Sequence, residues 1–299
     1  MTSVMSRRTG PGHNRPMSTT ASTHEAAEPA ISRTGGLFRA VALPVEHGGW
    51  SFLLEPLILG LILVPSAAGV WVAMGAVAAF LARQPLKLLA LNRRRGGRYP
   101  RTGLSERFFA VYALAAAVSL AAALRESDLS ILTPLILAAP FAVVGLRRDF
   151  QGRGREALPE IAAGLALGAS ATIIILAGRG SAGMAWLAWA LLAGRAITAV
   201  LYVRARVRID RSDARATRFA RARPVLLAHA STLLLALWAA GAGRAPALAA
   251  AAFALLFGRA VYGLAPGQRA IRPQVLGVQE VIVGLACLCL FTLGLSAGR

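Results

Sequence analysis

From residue 41 onward the chain alternates between apolar runs and short polar breaks, and the runs have the length of bilayer-spanning helices, roughly 17 to 25 residues. Nine are read, at 48–65, 68–91, 107–124, 130–147, 157–177, 182–203, 224–241, 245–263 and 275–296. The pattern predicts an all-α fold, a polytopic transmembrane bundle. The first run is the weakest, because Glu55 and Pro56 interrupt it. Residues 1–40 carry Ser, Thr, Gly, Pro and scattered charge without an apolar run. Such a segment cannot bury enough surface to offset the entropy of ordering, so a disordered cytoplasmic tail is expected ahead of a helical domain at 41–299.

Composition agrees: 56% of residues are hydrophobic and only 15% charged, against about a quarter in soluble domains. The charge is lopsided, with 33 Lys and Arg against 13 Asp and Glu, and Lys87 is the one lysine. A nucleic-acid binder would lay its basic stripe on a soluble fold. Here the basic runs fall between apolar stretches, as in cytoplasmic loops. With the tail inside, only Arg125, Arg179, Arg244 and Arg299 lie outside, and Arg195 lies deep within a span. The expected topology is therefore N-terminus in and C-terminus out. Trp71, Trp186, Trp189 and Trp238 fall near outer ends and Trp50 near an inner end, as an aromatic belt requires. The bilayer is the partner this implies; no nucleic acid is expected, and protein partners are not specified. Cys287 and Cys289, two apart on an apolar run, suggest neither a disulfide nor a metal site.

The inner connections after the second and sixth runs are expected to be long, arginine-rich cytoplasmic loops, and long loops more often carry function. Gly194-Arg195-Ala196 echoes in Gly258-Arg259-Ala260, a hint of internal duplication. A charged residue at the centre of a membrane helix costs about 2.5 to 3.5 kcal/mol on insertion scales, so each should face the bundle interior and find a partner. Arg83, Lys87, Arg195 and Arg259 lie in spans, as do Glu55, Glu160 and Glu280, with Glu46 at the entry to the first. A mixed-charge cavity open to the cytoplasm is expected from them. The rival account is closed salt bridges and snorkelling cations, which suits Lys87 and Arg259 better than Arg195 and Glu55.

The most distinctive local cluster is Pro44-Val-Glu46-His47-Gly48-Gly49-Trp50. Adjacent Glu46 and His47 would point about 100° apart on a helix, so each must answer to another helix. Pro56 removes a backbone donor just after Glu55 and should kink the first helix. His229 reads as a packing residue, and Gly96-Gly97 lacks the pattern of a phosphate loop.

The string 44–50, together with Glu55-Pro56, Arg83-Gln-Pro-Leu-Lys87 and Arg98-Tyr-Pro-Arg-Thr-Gly103, resembles the YwiC-like family of bacterial integral membrane proteins. More distantly, nine helices in a duplicated plan are similar to the UbiA superfamily of intramembrane prenyltransferases. That resemblance implies a polyprenyl diphosphate held through magnesium by two Asp-rich motifs. Here Asn92 could occupy the first motif's asparagine, but Arg93 and Gly96 stand where aspartates belong, and the second site is arginine-dominated with Asp210 and Asp213 late in it. Arginine binds phosphate bidentately without metal. The expectation is therefore an anionic lipid or isoprenoid ligand, held with no catalytic residue, metal or cofactor by Arg83, Lys87, Asn92, Arg195 and Arg204, with Glu46, His47, Glu55, Glu160 and Glu280 positioning them or exchanging protons. Two alternatives are a divergent prenyltransferase, the one case in which magnesium enters, and a proton-coupled small-molecule transporter.

Overall fold

Long apolar helices joined by breaks of a few residues can only run up and down beside one another, and the chain does so. The computed structural model describes residues 38–44, 47–96, 99, 101–154, 156–211 and 215–298, with backbone alone at 47–48 and 215–218. The helices are α1 (His47–Leu63), α2 (Ala67–Arg94), α3 (Thr102–Glu126), α4 (Leu132–Phe150), α5 (Ala157–Ala177), α6 (Ala182–Asp210), α7 (Arg215–Gly241), α8 (Ala247–Leu264) and α9 (Pro273–Ala297). Helices α2 to α9 are long and apolar enough to cross a membrane. Helix α1 is shorter, 17 residues with Pro56 inside it, so the expected ninth span does not meet that length. The tail expected at 1–40 lies outside the described residues up to residue 37, and Phe38, Arg39 and Ala40 are helical.

Two expected long loops are mostly helix. The second apolar run ends at 91 but α2 continues to Arg94, and the third begins at 107 but α3 starts at Thr102. Likewise α6 runs on from 203 to Asp210, and α7 starts at Arg215 rather than 224. Hydropathy marks only the part of a helix in hydrocarbon. Arginine is a good helix former whose long side chain carries its charge outward, so the helix continues past the apolar run.

Helix α5 is the centre of the bundle, packed against α1, α2, α3, α4 and α6. Its middle is built from small residues, among them Ala162, Gly164, Gly168, Ala169 and Ala171, all buried, which let neighbouring backbones approach closely. Buried residues make up 56% of its spanning stretch and 50% of that in α6, against 11% in α3 and 17% in α7. The peripheral helices instead present Val111, Leu114 and Val118 on α3, and Leu234, Leu235 and Trp238 on α7. Exposed apolar surface of this kind is stable where the solvent is lipid. Contacts of α1 with α5, α5 with α6, α6 with α9 and α9 with α1 close an inner four-helix ring. The two halves differ in packing: α3 lies chiefly on α2, whereas α7 lies chiefly on α8.

Helix ends are conventionally closed. Ser66 accepts from the Gly69 amide at 3.0 Å to start α2, and Ser181 accepts from the Met184 amide at 3.3 Å to start α6. The short segment before α1 docks on α2 and α3, where Gln84 donates to the Ala40 carbonyl and Tyr112 to that of Ala42, both at 3.1 Å.

Candidate functional site

Four charged residues meet, three from the ring helices α1, α6 and α9 and one from α8, which packs beside them. Arg195 on α6, 2% exposed, donates from Nη2 to Glu55 Oε1 on α1 at 2.8 Å. The same nitrogen reaches the Glu280 carbonyl on α9 at 3.4 Å, and Nη1 lies 3.9 Å from Glu280 Oε2. The other carboxylate oxygen of Glu280 is 2.6 Å from Arg259 Nη1 on α8. Arg259 in turn lies over the Tyr202 ring, 4.0 Å from its centre. Two carboxylates and two guanidinium groups cancel, which is what makes four charges tolerable at this depth.

Backbone shape is part of the site. Gly284, one turn beyond Glu280 on α9, sits against the pair, and a Cβ there would overlap Glu55 Oε1 and Arg195 Nη2. Only a residue without a side chain lets the Glu55–Arg195 pair lie on α9.

The network keeps unused hydrogen-bonding capacity. Arg195 Nε and Nη1, all three Arg259 nitrogens and both Glu280 carboxylate oxygens are buried without an aligned hydrogen bond in the protein. Arg259 and Glu280 are thus in ionic contact without an N–H aimed at the carboxylate. Buried donors of this kind are costly, so a cluster of them is a capacity for recognition rather than for stability.

The other expected residues fall into separate places. Arg83 and Lys87 share one face of α2, as their spacing requires, and both reach Asp149 at the end of α4, at 2.6 Å and 3.5 Å. Glu160 on α5 pairs with Arg204 on α6 at 3.0 Å. Asn92 donates to Thr102 Oγ1 at 3.1 Å, and that oxygen also accepts from the Tyr99 amide at 3.0 Å, which ties the turn between α2 and α3. Glu46 and Asp213 lie outside the described residues, and of His47 only the backbone, opening α1, is described. His229 is buried and holds the Val225 carbonyl through Nδ1 at 2.8 Å.

Three partners escaped the sequence reading. Asp149, fully buried, follows Arg147 and Arg148 and so looks like part of a solvated basic run. Arg206 is likewise buried, pairing with Asp210 at 3.2 Å and donating to the carbonyls of Gly263 and Arg269. Asp210 also accepts from the Ile271 amide at 3.2 Å, so the acid open to the magnesium-dependent alternative fastens the α8–α9 connection. The available signal was helical spacing: residues two apart point about 200° apart, so Arg206 must face away from Arg204 and Arg208. Tyr202, on the Arg206 side one turn earlier, carries Arg259.

Of the motif residues, Glu55 belongs to the network, while Arg83 and Lys87 lie on α2 against Asp149. Residues 43–175 match the YwiC-like protein family. No curated protein and no solved structure matches the chain. The YwiC-like region runs from just before α1 nearly to the end of α5, so it holds Glu55, Asp149 and Glu160 while Arg195, Arg259 and Glu280 lie beyond it. The site is therefore completed across the boundary of the matched region. With its apolar helices, the chain is a multi-pass integral membrane protein carrying a YwiC-like region.

Proposed function

We propose that the protein binds an anionic lipid or isoprenoid-type ligand at the Arg195–Arg259 pair, approached from the arginine-rich end, which faces the cytoplasm of a bacterium. The observation that carries this reading is the position of Glu280, whose carboxylate lies between two guanidinium groups. That is how an external phosphate or carboxylate would be held, since guanidinium matches a planar or tetrahedral oxyanion through paired N–H donors. Glu280 then acts as a resident substitute. A ligand anion replaces it, and Glu280 swings aside and takes up a proton from solvent, which offsets one unit of the ligand's charge. Glu55 stays on Arg195 and holds it in place.

The test uses farnesyl diphosphate titrated into nanodisc-embedded protein. Saturable binding is expected, weakened tenfold or more by Arg259→Gln and strengthened by Glu280→Gln, which removes the competing charge while keeping the side chain's shape. Equal affinity in wild type and Arg259→Gln would sink the reading.

A second reading, proton-coupled transport, is favoured by one relationship: Glu55 and Glu280 both engage Arg195, so protonating either re-partners the arginine. Uptake into proteoliposomes that follows a pH gradient and is lost in Glu55→Gln would support it.

A further inference from the structure

Helices α7 and α8 form a hairpin closed by the turn at 242–246, so residues equally far from that turn lie level with each other. His229 stands 12 residues before the end of α7 at Gly241, and Arg259 stands 12 after the start of α8 at Ala247, which puts them at one depth. The Arg259 guanidinium is near enough for its charge to act on the imidazole. His229 is 1% exposed, so the ring belongs to the interior beside Arg259.

One nitrogen of that ring is committed and the other is not. Nδ1 lies 2.8 Å from the Val225 carbonyl, and because a carbonyl only accepts, Nδ1 carries the proton. In the neutral ring Nε2 is then a lone pair, buried without a hydrogen bond among the described residues. A buried acceptor left without a donor is costly, and here it stands beside the unaligned N–H groups of Arg259. Acceptor and donors together suit a group that carries both a hydroxyl and a negative oxygen.

The charge count sets the other half of the recognition. With Glu280 swung aside and protonated, the network retains Arg195, Arg259 and Glu55, a net charge of +1. Arg206 and Asp210, one turn beyond Tyr202 and farther along α6, pair with each other at 3.2 Å and cancel. Unbalanced charge inside a membrane bundle is expensive, so a headgroup with a single negative charge fits best.

We propose that the ligand held at the Arg195–Arg259 pair is a singly protonated phosphate monoester of a lipid or isoprenoid alcohol, its charged oxygens on the guanidinium groups and its P–OH donating to His229 Nε2. This rests on the ligand reading above and narrows it, from an anion in general to a monoanion with one hydroxyl donor. A phosphodiester has the charge but lacks the hydroxyl. A diphosphate can carry the hydroxyl, but with at least one negative charge too many.

The test compares farnesyl phosphate with farnesyl fluorophosphate in the nanodisc-embedded full chain at about pH 6, where a phosphate monoester is roughly half singly protonated. Fluorine in place of the hydroxyl keeps the shape and the single charge and removes the proton. Farnesyl phosphate is expected to bind about tenfold more tightly than the fluorophosphate, which leaves the buried acceptor unpaired, and more tightly than farnesyl diphosphate. His229→Phe keeps a ring and removes Nε2, and should bring the phosphate and the fluorophosphate within about twofold of each other. The wild-type comparison needs no variant: equal affinity for the two, with binding still lost in Arg259→Gln, overturns the proposal and leaves the ligand reading standing. A preference that survives in His229→Phe, or tighter binding of the diphosphate, also overturns it. Binding of none of the three, or binding indifferent to Arg259→Gln, overturns both.

Discussion

Glu55 and Arg195, 140 residues apart in sequence, meet at 2.8 Å inside the four-helix ring, each almost wholly enclosed. Removing one member of such a pair strands a charge, while removing both can cost little, because desolvation of the ions offsets much of their attraction. Glu55→Leu alone should therefore destabilise the fold by about 3 to 5 kcal/mol, and Glu55→Leu with Arg195→Leu by clearly less. Reversible unfolding by sodium dodecyl sulfate in bicelles would measure both. Equal losses in the single and double variants would mean that the pair does not act as a unit.

Gly284→Ala adds one methyl group where Glu55 Oε1 and Arg195 Nη2 already sit. Overpacking of this kind costs about 1 to 3 kcal/mol, and here the shift falls on the ion pair. The variant should lose stability in the same unfolding experiment and weaken farnesyl diphosphate binding. Gly277→Ala on the same helix meets nothing and serves as the control.

Asp210 and Arg206 hold the connection between α8 and α9 through the Ile271 amide and the Arg269 carbonyl. Asp210→Asn should loosen that connection while leaving the helices in place. Trypsin cleavage after Arg269 should accelerate severalfold, read by mass spectrometry of the fragments. An unchanged cleavage rate would assign the pair no role in fixing the connection.

The arginine distribution sets the expected orientation, which reporter fusions check directly. Alkaline phosphatase fused after Arg244 should be active, and green fluorescent protein fused after Arg211 should fluoresce. The reverse pattern would place the arginine-rich end outside and remove the cytoplasmic approach to the Arg195–Arg259 pair.

Asp149 takes both Arg83 and Lys87. Asp149→Asn keeps the volume and removes the charge, so it should destabilise the protein by about 1 to 3 kcal/mol, since the buried carboxylate's charge-assisted bonds are lost while the partly exposed cations stay solvated. Adding Lys87→Met to that variant should recover part of the loss, as read by the same unfolding experiment.

What the sequence determined alone was the helical architecture. The run at 157–177 coincides with α5 because hydrocarbon forces every backbone group to bond within its own helix, and apolar length then marks the span. Spacing along one helix is also legible: four residues apart, Arg83 and Lys87 share one face of a helix whatever their partner. The helix ends at 94, 102, 210 and 215 were not, because hydropathy stops at the interface while helical hydrogen bonding does not. Which charges met was beyond the sequence as well. Pairing depends on which helices are neighbours and on their rotation about their axes. Both are set by small-residue contacts such as Gly164 of α5 against Ala196 of α6, distributed over the whole bundle. Tertiary packing alone therefore divided one expected cavity into the Glu55–Arg195–Glu280–Arg259 network, the Asp149 cluster and the Glu160–Arg204 pair. Charges on opposite faces of one helix cannot share a site.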